Sequence, residues 1–193
     1  MPEESRRPLR RLDPRAPLVV DTRELGRRAA TMRRLAWTVP APADLAVGMI
    51  GVPVGAPVEL DVRLEAVCEG VLVSGVARAP LAGECARCLE PLATVIEADL
   101  QELFTYPDEA MGDDDEDVSR LEGDLLDLEP TLRDAVVSEL PLAPVCRDDC
   151  PGLCVTCGGR LADLPPGHGH GAFDTRWAAL AEVYRPTDEE QGS

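Results

Sequence analysis

The stretch Val58-Glu-Leu-Asp-Val-Arg-Leu-Glu-Ala-Val-Cys68 carries the clearest fold signal in the chain. Val58, Leu60, Val62, Leu64, Ala66 and Cys68 alternate with Glu59, Asp61, Arg63 and Glu65. A period of two puts the apolar set on one face of a strand and the charges on the other. One dry face and one wet face are the mark of an antiparallel sheet. The alternation also places Cys68 on the buried face, so this thiol reads as core and not as a ligand. Gly70 ends the strand. Residues 71–77 supply the next strand and residues 92–100 a third, and connections this short favour antiparallel neighbours. The pair Cys85 and Cys88 then falls at a hairpin tip.

Working outward, Leu18-Val19-Val20 reads as a short strand, residues 22–28 as a short helix, and residues 31–39 as a further strand that Pro40 and Pro42 interrupt. Residues 107–124 hold nine acids, including the run 113–117, and read as a solvated, mobile loop. Leu128, Leu132, Val136 and Leu140 recur every four residues, with Pro130 in the first turn and Pro141 as the stop, which predicts a helix. A second helix is expected over 175–184, capped by Asp174, with Trp177, Leu180, Ala181 and Tyr184 as its apolar stripe and Pro186 beyond it. The expected fold class is α+β: one small antiparallel β-sheet, one or two covering helices, and a zinc-bound C-terminal lobe. Its divisions are a disordered basic arm (1–17), the α+β body (18–145), a Cys/His lobe with the terminal helix (146–186) and an acidic tail (187–193).

Composition narrows the function classes. The 193 residues are 45% hydrophobic but only 3% aromatic, so the core rests on Leu, Val and Ala and offers no platform for stacking bases. No apolar run approaches the roughly 20 residues of a membrane span. The start, Met-Pro-Glu-Glu-Ser-Arg-Arg, has no apolar stretch behind its charges, so no signal peptide is read and a cytoplasmic location is expected. The net charge of −17 is uneven: residues 1–34 carry ten arginines against five acids, and the remainder carries nine against 31. Every cation is Arg, the better bidentate phosphate ligand, although a GC-rich genome gives the same bias. The basic arm, with Arg6, Arg7, Arg10 and Arg11, is the credible RNA-facing element.

Seven cysteines in a reducing compartment suit metal binding better than disulfides. Six of them form Cys85-Ala-Arg-Cys88 and Cys146-x3-Cys150-x3-Cys154-x2-Cys157, followed by Gly158-Gly159, with ten residues between Cys157 and the first of the two histidines, His168 and His170. A CxxC turn brings two thiolates to about 3.5–4 Å, one edge of a zinc tetrahedron. Its backbone amides can hydrogen-bond the sulfurs, and a following Gly permits the left-handed residue that the turn needs. Cys85, Cys88, Cys146, Cys150, Cys154, Cys157, His168 and His170 make eight ligands, enough for two structural zinc ions. One pairing joins Cys85 and Cys88 to Cys146 and Cys150 and closes Cys154, Cys157, His168 and His170 locally. The rival is a single site of Cys85, Cys88, Cys154 and Cys157.

Three strings carry a resemblance: Gly83-Glu-Cys-Ala-Arg-Cys-Leu-Glu-Pro-Leu92, Leu140-Pro-Leu-Ala-Pro-Val-Cys146 and Cys150-Pro-Gly-Leu-Cys-Val-Thr-Cys-Gly158. Over roughly residues 18–184 the chain resembles the YceD family, the large ribosomal RNA subunit accumulation proteins. The resemblance implies a cytoplasmic role in making or maintaining large-subunit ribosomal RNA, without enzymatic activity. The family's CxxC turn matches Cys85 and Cys88, and its segment after the helix matches Cys146 and Cys150. Forms with a longer C-terminal lobe carry a turn matching Cys154 and Cys157 and then a Cys-x-Cys pair, where this chain has His168 and His170. The expected partners are ribosomal RNA or a basic large-subunit ribosomal protein, with no membrane and no small-molecule substrate. Two other classes compete. A zinc-stabilised protein-interaction module would lack RNA contact. A thiol oxidoreductase would want its CxxC at a helix N-terminus in a βαβ frame, which neither turn has. A zinc hydrolase or deaminase would need an open coordination position and a general base such as the Glu of an H-x-E motif, which is absent.

Overall fold

In the computed structural model, residues 11–107 and 118–170 are described. Their elements run β1 (Val19–Asp21), β2 (Met32–Pro40), β3 (Ala46–Val47), β4 (Ile50–Gly51), β5 (Pro57–Ala66), β6 (Gly70–Glu84), β7 (Pro91–Thr105), β8 (Leu125–Asp127) and α1 (Glu129–Glu139). The alternating stretch is β5: Val58, Leu60, Val62, Leu64 and Ala66 are buried, while Glu59, Asp61 and Arg63 face solvent. It lies between β2 and β6 in a six-stranded sheet, with β7 along the far side of β6 and the β3–β4 hairpin against the end of β6. All strand pairs are antiparallel, and β1 pairs with β8 as a separate two-stranded ribbon. The α+β reading therefore stands, with one helix among the described residues. That helix packs against β7 and adds Leu132 and Val136 to the core that also holds Leu60, Val62, Leu100 and Leu126.

Several expectations change. Residues 22–28 form turns, not a helix: the amides of Leu25 and Gly26 reach Thr22 and Arg23, and Gly26 takes φ 64°. Seven residues with one buried apolar anchor, Leu25, cannot meet the cost of nucleating a helix. Gly70 opens β6 and does not end β5. A Cβ there would sit 2.0 Å from the Phe104 carbonyl oxygen, so only glycine allows β7 to approach this closely. β5 stops at Ala66 and the chain turns over Val67–Glu69, which leaves Cys68 exposed. The core reading of Cys68 fails because the strand, and its period of two, ended two residues earlier at Ala66. β6 and β7 extend to fifteen residues each, and the β3–β4 hairpin and β8 were not anticipated.

The described part of the acidic stretch is also tied down: Thr105 and Leu121 exchange backbone bonds with Ser119 and Thr105, and Leu121 is buried. Residues 11–17, expected within a free arm, are held to the body. The Leu12 amide donates to Glu122, and the Trp37 indole donates to the Pro17 carbonyl. The acidic run 113–117, the expected helix over 175–184 and the tail lie outside the described residues.

Candidate metal centres

β6 and β7 pair from Gly70↔Thr105 out to Glu84↔Pro91, so the hairpin places Cys85 and Cys88 at its tip. The Cys85 amide donates to Glu90 O at 2.8 Å, the Leu89 amide to Cys85 O at 2.9 Å, and Leu89 adopts φ 58°. The second CxxC repeats this turn atom for atom. The Cys154 amide donates to Gly159 O at 2.8 Å, the Gly158 amide to Cys154 O at 2.8 Å, and Gly158 has φ 70°. Both knuckles thus need a left-handed residue one position past the second cysteine; one uses glycine and the other a leucine.

The tip does not stand alone. The Ala86 amide donates to Pro144 O at 2.7 Å, which brings the segment after α1 alongside it. Arg87, between the two cysteines, donates from one guanidinium nitrogen to Asp148 O at 3.0 Å and Cys150 O at 3.3 Å. Arg160 reaches Leu89 O at 3.3 Å and so joins the second knuckle to the first. Neither arginine role was legible beforehand, because carbonyl acceptors leave no mark in a sequence. The only hint at Arg87 is its place inside the CxxC.

Held this way, the eight residues form two groups: Cys85, Cys88, Cys146 and Cys150, and Cys154, Cys157, His168 and His170. Within each group all the potential ligand atoms lie within 4.8 Å of one another. Of the two pairings the spacing allowed, these groups follow the first. The inner quartet sits in a small core of its own with Leu92, Val145 and Leu153 around it, and Cys85, Cys88 and Cys150 are buried. The outer quartet is half-buried at Cys154 and His168 and exposed at Cys157 and His170. Cys68 belongs to neither group. Arg6, Arg7 and Arg10 lie outside the described residues, and Arg11 is exposed.

The distances test whether a metal ion fits. A tetrahedral ion with bonds to sulfur near 2.3 Å has S···S edges of about 3.8 Å, and S···N edges of about 3.5 Å where nitrogen binds near 2.0–2.1 Å. The sulfurs of Cys85 and Cys150 are 3.8 Å apart, those of Cys88 and Cys146 3.7 Å, and Cys157 Sγ is 3.5 Å from His168 Nε2. All the cysteines are free thiols.

The electrostatics agree. Burial pushes the Cys85 thiol up, but the amides of Cys146, Arg87 and Cys88 outweigh it and bring it down to about 6. The Arg87 amide stands 3.4 Å from that sulfur. At Cys154 the amides of Cys157 and Thr156 likewise bring the thiol to about 6 against burial. Cys146 moves the other way, pushed up to about 12 by burial and by hydrogen bonds with Cys150, Cys88 and Cys85. At Cys88 the Glu90 amide pulls down, yet burial and the thiols of Cys85 and Cys150 carry it up. One sulfur in the inner group, Cys85, is therefore ready to ionise while those of Cys88 and Cys146 are held protonated beside it. A divalent cation removes that conflict by letting all four sulfurs ionise together.

The family model described as large ribosomal RNA subunit accumulation protein YceD matches residues 73–183, from near the start of β6 through both quartets. The chain belongs to the YceD family. Uncharacterized proteins of Mycobacterium tuberculosis and Mycobacterium bovis are each 46% identical over 176 residues, covering 90% of this chain and 84% of theirs. A relative from Mycobacterium leprae is 40% identical over 184 residues, covering 92% of this chain and 84% of its own. No solved structure matches. No helix among the described residues is long and apolar enough to cross a membrane.

Proposed function

We propose that this YceD-family chain is a non-enzymatic zinc-held factor that supports the accumulation of large-subunit ribosomal RNA. The family description carries the ribosomal part of this reading. The donor sets carry the metal. Four thiols, and two thiols with two imidazoles, are the combinations that structural zinc takes, and four protein ligands leave no open position for substrate or activated water. Cys85, Cys88, Cys146 and Cys150 would hold one ion, and Cys154, Cys157, His168 and His170 the other. Zinc supplies cross-links here. The chain's own residues aim the amides, close the two knuckles and clamp the hairpin tip to the segment after α1.

A thiol oxidoreductase would expose a reactive sulfur at a helix N-terminus, whereas Cys85 lies buried at a hairpin tip. A zinc-stabilised interaction module is the second reading, favoured by the acidity of the body. The experiment compares a deletion strain with strains complemented by the wild-type or the Cys88→Ser chain, using sedimentation of ribosomal subunits and large-subunit RNA levels. Reduced large-subunit RNA that only the wild-type chain restores supports the proposal. Unchanged RNA in the deletion strain would refute the ribosomal reading, and a purified chain without zinc would refute the metal reading.

A further inference from the structure

Among the described residues β7 has one strand neighbour. Its pairing to β6 covers all fifteen residues, but among the described residues its other edge meets only the single bridge from Thr105 to Arg120. From Pro91 to Phe104 that edge pairs with no other strand among the described residues, and an open strand edge is the usual template for an added strand. Beside it lies a cleft of about 340 Å³ between β7 and α1, lined by Asp99, Gln101, Glu102, Thr131, Asp134 and Ser138 among others. No cation lines the cleft, and no described residue forms an ion pair with Asp99, Glu102 or Asp134. The cations nearest in sequence along β6 and α1 are already paired, Arg78 with Glu97 and Arg133 with Glu129.

We propose that the free edge of β7 and its acidic cleft dock an extended, arginine- or lysine-rich segment of a partner protein as an added antiparallel or parallel strand. Backbone hydrogen bonds along β7 would supply the register, and Asp99, Glu102 and Asp134 would select basic side chains. The charge pattern argues against the two other occupants. A second copy pairing through β7 would set Glu97, Asp99 and Glu102 against their own kind, and like charges across a strand pair are destabilising. Nucleic acid would bring phosphate to three unneutralised carboxylates. The inference gives a surface to the basic protein partner that the sequence leads one to expect, and its test does not depend on the ribosomal reading.

The test uses the zinc-loaded full chain and fluorescent peptides of about ten residues. One alternates Arg and Val, one alternates Glu and Val, and one is the Arg/Val peptide with alternate amides N-methylated. The Arg/Val peptide should bind, with affinity falling as salt rises from about 50 to about 500 mM, and should slow hydrogen exchange over residues 95–104. The Glu/Val and N-methylated peptides should not bind. The combined Asp99→Asn, Glu102→Gln and Asp134→Asn chain should keep its zinc and circular dichroism but bind the Arg/Val peptide about tenfold more weakly. Equal affinity in that variant, binding by the N-methylated peptide, or no binding by the Arg/Val peptide would overturn the proposal. So would self-association, or a duplex RNA, that protects β7 in the peptide's absence.

Discussion

Replacing Cys88 by Ser tests the inner quartet directly, because the structure fixes how much chain that quartet ties together. Cys88 and Cys146 are 58 residues apart in sequence and 3.7 Å apart at sulfur. Treating a metal bridge between them as a chain cross-link, a loop of that length gives about 4 kcal/mol of loop-closure stabilisation. The outer quartet joins Cys157 to His168 across 11 residues, which by the same arithmetic gives about 3 kcal/mol. The larger difference lies in what comes loose. The inner quartet has its own small core, separate from the cluster under the sheet. Cys88→Ser should therefore free residues 141–170 from the hairpin tip while β2, β5, β6 and α1 stay folded.

The assay is metal analysis with hydrogen exchange on the full chain. Cys88→Ser should lower zinc from two ions to one or none and cut protection around Cys146 and Cys150 by about a thousandfold, the equivalent of 4 kcal/mol. Cys146→Ser, on the opposite side of the same site, should give the same result. Cys157→Ser should lose one ion and loosen only residues 152–170. A Cys88→Ser chain that keeps two ions, or that loosens the outer knuckle and leaves Cys150 protected, would refute the assignment of ligands.

Three further outcomes follow from particular residues. Gly158→Ala should destabilise the outer knuckle by about 1–2 kcal/mol, read as easier zinc loss to a chelator, because φ 70° strains any residue with a Cβ. After zinc removal, iodoacetamide at pH 7 should label Cys154 well before Cys146, since a thiol near 6 is mostly ionised there and one near 12 is not; peptide mapping reads the order. Because the Cys154 value lies below the ordinary 9.0, its contribution to the zinc-free fold is complete above about pH 9 and is lost as pH falls through about 6. Cys68→Ser should change melting by no more than about 0.5 kcal/mol and leave zinc content unchanged, because the side chain is exposed in a turn.

The strands that alternate were legible, and those that do not were missed. β5 and the helix from Glu129 to Glu139 announce themselves through their periods, whereas β3 and β4 have two residues each and no period to read. β8 hides because Leu125 and Leu126 sit at the end of an acidic stretch and find their partner, β1, more than a hundred residues away. The strand expected over residues 71–77 is β6, which runs on to Glu84 through Pro80. The proline is tolerated because β5 ends opposite Arg78 and β4 begins opposite Ala82, so Pro80 has no strand neighbour on that flank. All eight metal-ligand candidates could be named because thiols and imidazoles at tight spacing have few other uses. Their grouping could not be settled until the Ala86–Pro144 contact and the Arg87 clamp placed the post-helix segment against the hairpin tip.

Where RNA would touch this chain follows from what the arginines already do. On the outer face of the sheet Arg34 pairs with Asp61 at 3.3 Å, Arg63 with Glu65 at 3.7 Å and Arg78 with Glu97 at 2.6 Å. In the lobe Arg147 pairs with Asp149, while Arg87 and Arg160 are turned onto carbonyls. Cations already matched by carboxylates release few counterions on meeting phosphate, so these arginines add little affinity. The arm residues Arg6, Arg7, Arg10 and Arg11 remain the proposed contact. Truncation should stop at residue 10, because Leu12 and Pro17 are bonded to the body and removing them would confound the result. Losing Arg6, Arg7 and Arg10 should flatten the dependence of log K on log salt by about 2, at roughly 0.7–0.9 per phosphate, with zinc content unchanged. Equal association of the full and truncated chains across the titration would remove the arm from the mechanism and leave a protein partner to make the connection to the ribosome.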